Sequence, residues 1–148
     1  MKVHLSFETC DLAASTKFYS TLLSAVPEKQ LADYILFITE NPPMELVLNP
    51  TPARARAASG EHFGLAVGTQ EVVEAQIARL QAAGYATEIE REETCCYANQ
   101  MKVWATDPDG RRWETYVVQE ETETRDGASG ASCCGDNEGA NAITGTTV

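Results

Sequence analysis

Thr94-Cys95-Cys96-Tyr97 sets two thiols side by side, eighteen residues ahead of Glu114 in the run Arg112-Trp113-Glu114-Thr115-Tyr116-Val117-Val118. The chain has only two histidines, His4 and His62, each near the start of a strand-like run. Adjacent thiolates chelate a soft centre through two sulfurs and gain a proximity that one sulfur lacks. Two imidazoles and one carboxylate, with positions left open, form the ligand set favoured by non-haem Fe(II) oxygenases, and such a set also holds Zn²⁺, Mn²⁺, Ni²⁺ or Co²⁺. The combined reading is a thiophilic substrate held over a redox metal. On these residues alone, two reduced surface cysteines and two unrelated histidines remain an open alternative.

The elements that would position these groups repeat. Val3, Leu5 and Phe7 alternate with His4, Ser6 and Glu8, the pattern of a half-buried strand. Asp11 then caps a helix through about Leu23, and strand-like runs follow at Tyr34–Thr39 and Glu45–Asn49, with a weaker one at Glu28–Leu31. Phe63, Leu65 and Val67 alternate with His62, Gly64 and Ala66. Thr69 caps a second helix with Val73, Ile77 and Leu80 on one face and Gly84 as its stop, and the runs Thr87–Glu90, Lys102–Thr106 and Trp113–Val118 follow. Asp107-Pro108-Asp109-Gly110 joins the last two runs as a hairpin. His4 and His62 are 58 residues apart, as are the caps Asp11 and Thr69. Both histidines therefore occupy one position of a repeated unit, on the strand face away from the helix, beside small residues that leave room for a cavity. The expected fold is α+β, with two βαβββ modules pairing into a curled open sheet around a metal cavity. His4, His62 and Glu114 are expected to converge there. Both sulfurs of Cys95-Cys96 reach one atom only if the pair lies in an irregular loop, because neighbouring strand residues point to opposite faces.

Composition narrows the rest. The 148 residues carry a formal charge of −11, which argues against nucleic acid or an anionic membrane as partner. No apolar run is long enough to cross a bilayer, and the N-terminus has no secretory pattern. Five cysteines (10, 95, 96, 133, 134), odd in number and paired in sequence, suit thiols kept reduced in the cytoplasm. Residues 119–148 have no aromatic residue, five glycines, six acids and one base, a composition expected to form a disordered tail carrying Cys133-Cys134. The organisation is thus a domain over 1–118, with modules of about 1–52 and 60–118, and a tail over 119–148. Cys10 is expected as a packed thiol, Trp104 and Trp113 as core, Glu88–Glu93 as a solvated edge, and Arg54 and Arg56 as part of a linker.

Asp11-Leu12-Ala13-Ala14-Ser15-Thr16-Lys17-Phe18-Tyr19 and Asp107-Pro108-Asp109-Gly110 before Trp113-Glu114 resemble the first-helix and closing-hairpin signatures of the vicinal oxygen chelate superfamily of glyoxalases, extradiol dioxygenases and bleomycin- or fosfomycin-resistance proteins. Thr94-Cys95-Cys96-Tyr97-Ala98 with Val103-Trp104-Ala105-Thr106-Asp107-Pro108 resembles the organoarsenical C–As lyases and cadmium-induced proteins of that superfamily, over roughly residues 2–118. The resemblance implies Fe(II) bound by His4, His62 and Glu114, substrate arsenic bound by Cys95 and Cys96, and Cys133 and Cys134 as accessory thiols. It implies cleavage of the carbon–arsenic bond of methylarsenite or a related trivalent arsenical with O₂, in a monomer or homodimer. Met101 stands where relatives often have Asp. Glu45 is similar in place to the fourth ligand of glyoxalase I. That leaves as alternatives a glyoxalase-like isomerase using His4, Glu45, His62 and Glu114, and a non-enzymatic Cd²⁺- or As(III)-binding protein using the cysteine pairs.

Overall fold

The computed structural model describes residues 1–52, 61–95, 97–121 and 123. In chain order the elements are β1 (Val3–Thr9), α1 (Leu12–Leu23), β2 (Lys29–Leu31), β3 (Tyr34–Glu40), β4 (Pro43–Pro50), β5 (His62–Ala66), α2 (Gln70–Ala82), β6 (Glu88–Cys95), β7 (Ala98–Thr106) and β8 (Arg112–Glu121). The βαβββ unit therefore occurs twice. Each copy makes one mixed four-stranded sheet, ordered β1-β4-β3-β2 and β5-β8-β7-β6, and neither closes into a barrel. The β1–β4 and β5–β8 pairs are parallel and the others antiparallel.

Helix α1 starts where the sequence places it, because the Ala14 N–H donates to Asp11 Oδ1 at 2.8 Å and satisfies one of the free amides of the first turn. Helix α2 starts at Thr69 without a side-chain cap bond, so this end rests on packing rather than on the expected cap. Gly84, with φ 83, takes the left-handed turn that ends it.

Phe18, Tyr19 and Leu22 of α1, Val73, Ile77 and Leu80 of α2, and Phe37, Leu46, Met101, Val103 and Trp113 of the two sheets share one core. Trp113 stacks on Phe63 at 4.9 Å, and Phe7 of the first module meets Phe63 of the second at 5.1 Å. Polar bonds lock the same seam. The Tyr19 hydroxyl donates to Asp107 Oδ2 at 2.7 Å, Arg111 Nη1 lies 3.0 Å from that oxygen, and the Cys10 N–H donates to Asp109 Oδ1 at 3.1 Å. Burial and the Asp107 charge push the Tyr19 phenol far above its usual range, so it stays a donor at any physiological pH. Thus the turn Asp107–Gly110 joins two strands and also clamps module to module. Cys10 contributes its backbone to this clamp, and its thiol is exposed rather than packed.

Two boundaries differ from expectation. Strand β6 is the outer strand of its sheet, in line with the solvated edge expected at Glu88–Glu93, but it runs past Glu90 to Cys95, where a loop was expected. Strand β8 continues to Glu121 through the pairs Ala98↔Glu121 and Asn99↔Glu120, so the first three residues assigned to the tail are strand. In both cases ladder pairing with β7 overrides a polar local composition. Cys133, Cys134, Arg54 and Arg56 lie outside the described residues.

Candidate functional site

Strand pairing settles which side chains share a face of the second sheet. Gly64, Glu114, Trp104 and Glu88 are aligned across β5, β8, β7 and β6, and the neighbouring row is Ala66, Tyr116, Lys102 and Glu90. Alternation sends Phe63, Leu65, Trp113, Val103 and Met101 to the other face, against the helices. The site face thus collects His62, Glu114, Lys102, Glu90 and Trp104.

His62 registers with Arg112, so Glu114 stands one diagonal step away, and it leans back to bring Oε1 within 3.4 Å of His62 Nε2. Gly64 makes that lean feasible. A Cβ there would lie 3.0 Å from Glu114 Oε1 and 3.1 Å from Tyr116 Cε1. The second carboxylate oxygen, Glu114 Oε2, is buried without a hydrogen-bond partner and lies 3.3 Å from Lys102 Nζ. The Lys102 side chain is only 3% exposed, and its ammonium also lies 3.9 Å from Glu90 Oε2. Glu90 is held in turn by the Trp104 indole, whose Nε1 donates to Oε1 at 2.8 Å. Trp104 meets the His62 ring edge-on at 5.1 Å and carries the Arg112 guanidinium over its face at 4.4 Å. It is buried, as expected, but on the site face and not in the apolar core.

The first sheet holds a second pair. His4 and Glu45 are direct partners across β1 and β4, with Nδ1 3.4 Å from Oε2. The His4 side chain is 59% exposed and Glu45 is half-buried. The structure therefore joins the expected ligands two by two. His62 comes together with Glu114, whereas His4 comes together with Glu45 and not with those two. No group of three His, Cys, Asp or Glu donors suited to a metal forms among the described residues. The reason is topological, since each histidine pairs with the last strand of its own sheet.

Either pair fits a divalent cation as two of its ligands. Donors at about 2.0–2.2 Å from one ion stand roughly 3.0–3.5 Å apart when they are cis, which the separations of 3.4 Å match. At His62–Glu114 the oxygen on the histidine side is Oε1, while the Lys102 ammonium lies 3.3 Å from Oε2.

Cys95 ends β6 and pairs with Ala98, and the chain turns back through Tyr97 at φ 67. The backbone of β6 thus reaches Cys95 through a strand whose register breaks between Glu90 and Glu93, and Cys96 lies outside the described residues. Glu88, not Cys95, is in register with Trp104 and Glu114. Seven residue steps along β6 separate Glu88 from Cys95, a run of at most about 23 Å at 3.3 Å each.

Gly64 is among the small residues expected beside His62, whereas Lys102 and Glu90 are absent from the sequence-based site. Counting by twos along the strands from Glu114 and Trp104 would have placed a lysine and a second carboxylate on its face.

Residues 3–115 match the family described as Glyoxalase/Bleomycin resistance protein/Dioxygenase superfamily. The chain is 43% identical over 123 residues to "Cadmium-induced protein CadI" of Mycobacterium tuberculosis (strain ATCC 25618 / H37Rv), covering 83% of this chain and 80% of that one. It is 38% identical over 133 residues to a "Trivalent organoarsenical cleaving enzyme" of Thermomonospora curvata, covering 90% of this chain and 87% of that one. The fold is similar to that of a glyoxalase/bleomycin resistance protein/dioxygenase from Alicyclobacillus acidocaldarius, with a TM-score of 0.66 at 17% identity over 81% of this chain and 92% of that one.

Proposed function

The chain belongs to the glyoxalase/bleomycin resistance protein/dioxygenase superfamily, and within it we propose an Fe(II)-dependent enzyme that cleaves the carbon–arsenic bond of trivalent organoarsenicals such as methylarsenite with O₂. The observation that carries this reading is the His62–Glu114 pair, with the space kept by Gly64. The printed activity of the Thermomonospora relative supports the substrate class. His62 and Glu114 would hold the iron, with His4 of a second copy as third donor. The chemistry a ferrous ion supplies at such a set is the activation of O₂.

The protein's part is capture and placement. Cys95 and Cys96 exchange with both hydroxyls of R–As(OH)₂: two S–As bonds form, two As–O bonds break, and each thiol proton leaves with hydroxide as water. Register breaks between Glu90 and Glu93 on β6, and between Asn99 and Gln100 on β7, give the hairpin a place to bend toward Glu114. Lys102 fixes the Glu114 carboxylate through Oε2 and leaves Oε1 on the His62 side. Trp104 walls off the same face from water. In the cell we place this chemistry in the cytoplasm, where thiols stay reduced.

His62→Ala and Glu114→Ala test the proposal. Each should lose iron and As(III) release yet still bind the arsenical through sulfur. An iron-free variant that releases As(III) at the unmodified rate would refute it. The His4–Glu45 contact favours a second reading, a four-donor isomerase site of His4, Glu45, His62 and Glu114. On that reading, substituting the cysteines would leave turnover unchanged.

A further inference from the structure

A cavity of about 280 Å³ opens on the opposite side of the second sheet, at the seam between the modules. Thr115 and Leu65 face it from their strands, and alternation points them away from the side that carries Glu114 and Gly64. Leu23 of α1 and Val72 of α2 add apolar wall, and Arg79 of α2 lines it too.

Two features are unusual for a void left by packing. Arg79 has no counter-charge: Nε donates to Thr21 O at 2.9 Å and Nη2 to Gln76 Oε1, both neutral acceptors. None of the ion pairs among the described residues includes it. No acidic residue lines the cavity, nor the open concavity beside it that Arg79 shares with Lys17, in a chain of net charge −11. The second feature is the guanidinium fork itself. A guanidinium has five N–H donors in a planar fork suited to a carboxylate, and the two bonds above leave the fork incompletely used.

We propose that this cavity is a binding site for a small aliphatic monocarboxylate. Its carboxylate pairs with Arg79, and the short tail lies against Leu23, Leu65 and Val72. The site is separate from the His62–Glu114 pair and does not depend on the proposed lyase activity.

Butyrate is the probe, with butylamine and chloride at equal ionic strength as controls, read by saturation-transfer NMR and thermal unfolding of the whole chain. Saturable butyrate binding that raises the unfolding temperature, with no effect of butylamine, is expected. Arg79→Met should weaken butyrate roughly tenfold or more, as loss of a charge-assisted pair does. Arg79 also sits at the C-terminal end of α1, where a cation is favoured, so Arg79→Met is compared with Val72→Phe. That change narrows the mouth at a residue 47% exposed, spares the fold, and should abolish binding. No saturable butyrate signal with the unmodified protein, or unchanged binding by Val72→Phe, overturns the proposal and leaves Arg79 as a helix cap.

Discussion

Replacing Gly64 with Ala should weaken divalent-metal binding at His62–Glu114 while leaving the fold nearly intact. Gly64 needs no left-handed φ, so the backbone accepts alanine there. The added methyl meets Glu114 Oε1 at 3.0 Å and Tyr116 Cε1 at 3.1 Å, where ordinary contact begins near 3.4 Å, so the carboxylate must give by a few tenths of an ångström. The methyl rises from β5, so it drives Oε1 off its position 3.4 Å from His62 Nε2. Metal–donor distances tolerate only about ±0.2 Å, and disturbing a group that orients a ligand costs about 10–100-fold in affinity. The fold loses little, because Gly→Ala lowers the entropy of the unfolded chain by about 0.4–1 kcal/mol, offsetting part of an overpacking cost of about 1–3 kcal/mol. Calorimetric titration with Co²⁺, alongside urea denaturation of the metal-free protein, reads both quantities. A Gly64→Ala protein that binds Co²⁺ within twofold of the unmodified chain would refute the argument that Gly64 keeps this space.

Lys102→Met removes an ammonium lying 3.3 Å from Glu114 Oε2 and 3.9 Å from Glu90 Oε2. Leaving these carboxylates without it should cost about 3–5 kcal/mol in urea denaturation. Saturating Co²⁺ should recover about 2.7 kcal/mol at a hundred times its dissociation constant, and equal stability without metal would count against the charge balance described. Cys95→Ser or Cys96→Ser should raise the methylarsenite requirement sharply. The double change should abolish turnover non-additively while iron still binds, as substrate titrations of the three variants would record. Burial pushes the Asp109 carboxyl up, but hydrogen bonds from Thr9 and Cys10 and the Arg111 charge outweigh it and hold the group below its usual value. Its stability contribution is therefore complete above the unfolded value of about 4 and is lost as pH falls through the lower folded value. Denaturation followed against pH should show a flatter acid limb for Asp109→Asn.

Much of the fold was legible because its signals are local. Alternation at Val3–Phe7 and Phe63–Val67, the Asp11 cap and the Asp107–Gly110 turn each specify an element within a few residues, and the 58-residue offset tied the two copies together. The ends of β6 and β8 were not legible, because Glu93, Glu120 and Glu121 have poor strand propensity and are held by pairing with β7. At the site, the residue types were readable but their grouping was not. His62 meets Glu114 and His4 meets Glu45 because of register across β5–β8 and β1–β4, a long-range property that no local pattern encodes. Lys102 escaped notice because a lysine in a strand ordinarily reads as a solvated edge. Its burial comes from two carboxylates brought by neighbouring strands.

The most direct test of the central claim is arsenic speciation after incubating purified protein, loaded anaerobically with Fe(II), with methylarsenite and then O₂. The account predicts inorganic As(III) in amounts that track bound iron, none without O₂, and none from Glu114→Ala or from Cys95→Ser/Cys96→Ser. Methylarsenite recovered intact from the iron-loaded, oxygenated protein would contradict it.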